Sequence, residues 1–234
     1  MGKFFIGSKL KNKTLGNIYE KIRCIFNRNF FLNDVVGVIH IGASSGQERF
    51  RYKENNLNVI WIEAIPKIFK LLEKNIASFK KQQAYQALIT NKKTNITFHI
   101  ASNNGESSSI FLPKLHEKLF PKVTFSKKIK LKSISFSDFI TKNKINLKFY
   151  NSMVLDTQGS ELLILMGAKD YLPNFKYVKT EVADFESYKG CAKFNELNSF
   201  MLKNGFRIFF KHKFYSKLLI GSYYDVTYKN INFD

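Results

Sequence analysis

Apolar positions change their period along this chain in a way that predicts alternating strands and helices. Residues 35–41 form a short β-branched run, which predicts a buried strand. A turn of small residues follows at 42–46, and 47–56 predicts a helix. Residues 58–63 carry Val59, Ile60, Trp61 and Ile62 and predict a second strand. Pro66, tolerated in a first helical turn, opens a helix over 66–79 with Ile68, Phe69, Leu71, Leu72 and Ile76 on its buried stripe. Residues 83–90 predict a third strand, and 96–101 another.

The second half repeats the alternation. After a polar, flexible stretch at 102–109 and an irregular one at 113–126, residues 127–134 alternate in part, like a strand. Ser135 caps a short predicted helix over 135–142. Strands at 150–156 and 177–182 flank a helix at 160–167. A helix over 194–203 ends at Asn204-Gly205. Two last strands, 206–211 and 219–228, are joined by a short loop and predict an antiparallel addition at one edge. The whole reads as a doubly wound α/β fold with a mainly parallel sheet. Residues 1–34 form a basic N-terminal extension ahead of a single domain at 35–234. Within it, 14–28 predicts an amphipathic helix with Leu15, Ile18, Ile22, Ile25 and Phe26 on one face. That face packs on the domain or, with its lysines, offers a peripheral membrane contact.

Composition sharpens this picture less than it first promises. A net charge of +20 invites a polyanionic partner. The excess is nearly all lysine, 33 Lys against 5 Arg, whereas phosphate and base recognition favours the bidentate arginine fork. Lys, Asn, Ile, Phe and Tyr all have A/T-rich codons, so a biased genome yields the same balance. Nucleic acid is therefore disfavoured as a partner. Two cysteines, Cys24 and Cys191, make no disulfide framework and fit a reducing cytoplasm. No apolar run approaches the roughly 18–20 residues needed to span a bilayer.

Candidate chemistry lies at two strand ends. His40-Ile41-Gly42-Ala43-Ser44-Ser45-Gly46 is a strand-to-helix turn whose small residues let the backbone approach a ligand. Glu63 ends the second strand, 21 positions beyond Gly42, where an acid accepts hydrogen bonds from ribose hydroxyls. Together the two features point to a nucleoside ligand.

At these residues the chain resembles the FkbM-type methyltransferases, class I enzymes that use S-adenosylmethionine. The resemblance rests on residues 39–48 and on Trp61-Ile62-Glu63-Ala64-Ile65-Pro66. It continues through Gly105-Glu106-Ser107-Ser108-Ser109-Ile110, through the Asp156-Thr157-Gln158-Gly159-Ser160-Glu161 helix start, and through Tyr188-Lys189-Gly190-Cys191-Ala192, Gly205-Phe206 and Asp225-Val226-Thr227-Tyr228. It departs at His40, where many class I enzymes carry an acid, and at Thr157-Gln158, where the family often has Val-Glu.

What the resemblance implies is a cofactor site of His40, Gly42, Ala43, Gly46, Glu48, Glu63, Ala64, Ile65, Ala87 and Asp156, with Asp156 and Glu181 as catalytic candidates. Gly42 and Gly46 would meet the methionine end, Glu48 its ammonium, Glu63 the ribose, and Ala64, Ile65 and Ala87 the adenosine. Ser107, Ser108 and Ser109 would close over the cofactor or remain a solvated loop. His99, His116 and His212 have no metal-ligand spacing and read as surface or packing. The implied reaction is O-methylation of a saccharide or related small-molecule hydroxyl. An RNA-directed enzyme and a non-catalytic module retaining the fold are the alternatives. Ten lysines at 113–148 mark where an anionic acceptor, an acidic or membrane-borne glycan, would be held.

Overall fold

The computed structural model describes residues 29–233. The predicted helix at 14–28 lies outside them. Residues 35–234 form one compact unit. Ahead of it, Phe30–Asp34 make a single 3-10 turn.

Ten strands and six helices build that unit. The strands are β1 (Gly37–Ile41), β2 (Asn58–Glu63), β3 (Gln82–Gln86), β4 (Leu88–Thr90), β5 (Asn95–Ile100), β6 (Lys127–Ser135), β7 (Ser152–Leu155), β8 (Tyr177–Ala183), β9 (Phe206–Lys217) and β10 (Gly221–Asn230). The helices are α1 (Arg49–Glu54), α2 (Pro66–Ile76), α3 (Leu115–Leu119), α4 (Phe136–Lys142), α5 (Glu161–Gly167) and α6 (Phe194–Lys203). Seven strands form the central sheet in the order β3-β2-β1-β7-β8-β10-β9. The five from β3 to β8 run parallel, and β10 and β9 close the edge antiparallel. The predicted fold class is the observed one.

Parallel strands covered on both faces should be apolar throughout. Every residue of β1 and of β7 is buried. Ile39, Ile60, Met153 and Val178 share one core with Phe136 and Phe139 of α4, Leu165 of α5, and Leu197 and Met201 of α6. Ser135 caps α4 as expected, its hydroxyl accepting the Asp138 N–H at 3.0 Å.

Three expectations change. The predicted strand at 83–90 is two strands in two sheets. Ala87 N–H still donates to Glu63 O at 3.1 Å, but the chain then leaves the central sheet. Leu88–Thr90 pair with β6 in a separate three-stranded sheet, β4-β6-β5. Both halves are extended, so periodicity gave no sign of the change of partner. The irregular stretch at 113–126 contains α3, one short helix. The edge hairpin is longer than predicted: β9 runs on to Lys217, so the turn falls on Leu218, Leu219 and Ile220 rather than spanning 212–218. Among the described residues no helix is long and apolar enough to cross a membrane.

Candidate active site

Strand order reverses between β1 and β7, and ligands of open α/β sheets bind where this leaves a crevice at the carboxyl ends. Here the chain turns sharply after both strands. Asp156 N–H donates to Ile41 O, and the Gly42 and Ala43 N–H groups both donate to Ile62 O. Gly42 has φ +83°, and a Cβ there would lie 1.8 Å from the Asp156 carbonyl oxygen. A side chain at Gly42 would therefore push the two turns apart.

Glu63 fastens the base of the crevice. Its Oε2 accepts the Ser44 N–H at 2.9 Å and its Oε1 accepts the Ile65 N–H at 2.8 Å. These bonds join the first turn, where Ser44 has φ +46°, to the start of α2. Each oxygen keeps a further lone pair for another donor. Burial pushes the Glu63 carboxyl up to about 7, against the opposing pull of the backbone N–H groups. Beside it opens a cavity walled by Ile65, Ile68, Ala87, Leu88 and Phe98. One end is thus apolar and slot-like, and the other carries a fixed carboxylate.

A second cavity, of about 380 Å³, adjoins the first. Gly42, Ser44, Glu106, Asp156 and Gln158 line both. Its far wall is aromatic, with His116, Phe120, Phe214 and Tyr223. Its carboxylates are Glu48, Glu106, Asp156 and Glu181. Neither cavity is lined by a lysine or arginine among the described residues.

Burial, with neighbouring carboxylates, raises the pKa of two of these acids, Asp156 and Glu181. The Asp156 side chain is exposed, but only to the floor of the cleft. The surrounding protein, then Glu48 and Asp225, push its carboxyl up to about 6, opposed by the Gln158 amide and Lys179. Glu181, opposite Asp225 in the β8–β10 register, is pushed well above its ordinary range by burial and then by Asp156 and Asp225. The Gln158 amide works in both directions. Its Nε2 donates to Asp156 Oδ1 at 2.8 Å, and its Oε1 accepts from the buried Tyr188 hydroxyl at 3.0 Å.

Nearly all of the predicted site residues converge here. Glu63, Ala64, Ile65 and Ala87 line the first cavity; His40, Ala43, Glu48 and Glu181 line the second; Gly42 and Asp156 line both. Gly46 does not line either, because it faces α2, where an added Cβ would meet Leu72 at 2.8 Å. His40 is buried and packs within an aromatic set. Its ring stacks on Trp61, its Nδ1 lies 3.1 Å from the Tyr52 hydroxyl, and burial lowers its pKa to about 4. Glu161 turns back into the protein and accepts N–H bonds from Thr157 and Gly159, so it braces the turn after β7.

Ser107, Ser108 and Ser109 are buried, and they form a wall fixed by bonds to Asn103, Ala101 and Gln158. None of the ten lysines of 113–148 lines either cavity, although His116, Phe120 and Val123 of the same segment line the second. On β6, Lys128, Lys130 and Lys132 alternate with Ile129 and Leu131, which pack inward.

Sequence reasoning passed over Ser44, Glu106, Gln158, His116, Phe214 and Tyr223. The first three lie inside motifs already singled out. His116, Phe214 and Tyr223 arrive from α3 and the edge hairpin, and only the tertiary fold brings them to the cleft.

Comparison with known proteins agrees with this geometry. The family model described as the Methyltransferase FkbM domain matches residues 40–208. A Sinorhizobium fredii protein, 2-O-methyltransferase NoeI, is 23% identical over 161 residues, which cover 65% of this chain and 65% of that protein. The chain thus spans just under two thirds of that relative's length. Among solved structures, M. capricolum TrmK, in complex with S-adenosyl-homocysteine, superposes with a TM-score of 0.50 at 10% identity. That match covers 88% of this chain and 69% of TrmK, and it shows a shared fold.

Proposed function

We propose that this chain, which belongs to the FkbM methyltransferase family, methylates a hydroxyl group of a saccharide or a related polyol. S-adenosylmethionine is the methyl donor and supplies an electrophilic methyl group on a sulfonium. The donor set of the first cavity fits that cofactor. Glu63, fixed by two backbone N–H groups, has lone pairs left for a ribose diol. The slot of Ile65, Ile68, Ala87, Leu88 and Phe98 suits a flat purine. Glu48 and Asp156 provide negative charge for the methionine ammonium. Gly42 gives the turn its close approach, and His40, held neutral, supports the turn from beneath.

The observation that carries the acceptor reading is the lining of the second cavity. In a chain of net charge +20, that lining has four carboxylates and several aromatic rings but no lysine or arginine. Carboxylates accept hydrogen bonds from hydroxyls, and rings cover the apolar faces of a pyranose. An anionic group would be repelled. Asp156, its carboxyl raised to about 6, is largely ionised at neutral pH and can take the proton as the acceptor oxygen is methylated; Glu181, pushed further up by burial and by Asp156, stands beside it. The name of the S. fredii relative supports a hydroxyl acceptor.

The test is transfer of labelled methyl from S-adenosylmethionine into extract separated into saccharide, lipid, nucleic-acid and protein fractions. Label should enter saccharide or glycolipid as an alkali-stable ether. Label in RNA alone would overturn the reading.

A further inference from the structure

The hairpin of β9 and β10 ends in a tip that folding alone does not explain. Leu218 is 88% exposed and Leu219 is 98% exposed. Leu219 also has φ +65°, a conformation that favours glycine or asparagine. Two leucines in water at a strained turn offer an apolar surface to something else. The tip is held firmly from below, because Ile220 packs against the cluster of Leu119, Phe185 and Tyr223.

Lysines outnumber acids around the tip, although Glu117 adjoins Lys118 and Asp184 accepts the Ser222 N–H at 2.8 Å. From Phe206 to Tyr224 there is no acidic residue, while Lys211, Lys213 and Lys217 are present. Lys217 Nζ donates to the Lys118 carbonyl at 3.2 Å, which brings the α3 segment alongside. Lys118, Lys122, Lys213 and Lys217 are all exposed. Phe214, four residues before Leu218, lines the second cavity, so the tip stands about 13 Å along the strand from the cavity wall.

We propose that Leu218 and Leu219, with Lys217 beside them and exposed lysines on β9 and the adjoining α3 segment, dock the protein on an anionic lipid bilayer. In that pose the leucines enter the acyl boundary and the lysines meet the headgroups. Phe214, on the same strand and in the cavity wall, then comes near a saccharide borne on a lipid, a consequence that rests on the hydroxyl-acceptor reading above. Charge complementarity favours a bilayer over the other occupants. RNA recognition draws on arginine forks and stacking rings, and the tip offers aliphatic side chains. Two leucines bury far less than the roughly 1,200 Å² of a stable protein interface, which argues against a second copy.

The experiment is co-sedimentation of the full chain with vesicles of phosphatidylcholine, with and without phosphatidylglycerol. Binding is expected only to the phosphatidylglycerol vesicles. The double variant L218E/L219E should bind them at least roughly tenfold more weakly, because it loses the apolar insertion and adds two negative charges. Its melting temperature and its affinity for S-adenosylmethionine should match the parent, since both leucines are exposed and neither lines a cavity. No binding by the parent, or equal binding by the double variant, overturns the proposal. So does a parent dimer that the double variant splits, or a single-stranded RNA that binds the parent and not the variant. The two readings fail separately: the docking reading fails at the vesicles while transfer to a soluble saccharide persists, and the acceptor reading fails in transfer while vesicle binding persists.

Discussion

At the scale of single residues, Glu63 and Gln158 carry the clearest consequences. Glu63 has a carboxyl raised to about 7, so without cofactor it holds a proton that the unfolded chain has released above its ordinary pKa of 4.5. Its contribution to stability is therefore greatest below 4.5 and is lost as pH rises through 7. A ribose diol donates to the ionised form and favours it. Cofactor binding near pH 6 should then release protons, seen as a binding heat that changes with the ionisation enthalpy of the buffer. Glu63→Gln should lose most of that release and weaken binding by about 1.5–3 kcal/mol. Unchanged affinity in calorimetry would remove Glu63 from the ribose. Gln158 stands where the family often has glutamate. An amide donates to Asp156 and accepts from Tyr188, whereas a carboxylate repels Asp156. If Asp156 or Glu181 takes the acceptor's proton, as proposed, it must be ionised, and the rate should rise with pH through the titration of the pair. Gln158→Glu should move that limb upward by roughly one pH unit, read from the pH–rate profile. A profile that stays in place would show that the amide does not tune the base.

At the scale of elements, the two glycines of the first turn separate structure from binding. A Cβ at Gly42 meets backbone at 1.8 Å, whereas one at Gly46 meets the flexible end of Leu72 at 2.8 Å. Both have positive φ. Gly42→Ala should cost on the order of 3 kcal/mol or more by denaturant unfolding, because the β1 and β7 turns must move apart. Gly46→Ala should cost less and leave cofactor affinity unchanged once folded, since Gly46 lines neither cavity. Equal losses of affinity in the two variants would contradict this assignment. The same contrast shows what the sequence makes legible. The 42–46 turn, the acid 21 positions on and the Asp156 motif are local, so they locate the crevice at the ends of β1, β2 and β7. The division of 83–90 between two sheets, and the arrival of His116, Phe214 and Tyr223 at the cleft, depend on partners distant in sequence. No local period encodes them. The hairpin turn was misplaced for a related reason: turn chemistry favours polar residues and glycine, and here leucines occupy the turn instead.

At the scale of the whole molecule, a net charge of +20 conceals a division of sign. The sheet's carboxyl end gathers Glu48, Glu106, Asp156 and Glu181 into one cleft, and the lysines remain outside it. Composition cannot report such sorting. Like charges spread over a surface repel and destabilise the compact state, and salt screens them with a Debye length of about 8 Å at physiological ionic strength. Raising sodium chloride should therefore raise the melting temperature of the isolated protein by several degrees. The same salt should weaken its association with phosphatidylglycerol vesicles, where lysines meet fixed negative charge. Opposite responses from one charge distribution are the signature expected of a surface on which lysines outnumber acids. A melting temperature that falls with salt would mean that attractive pairs dominate the surface, and the lysines could not then serve as a free cationic face for an anionic bilayer.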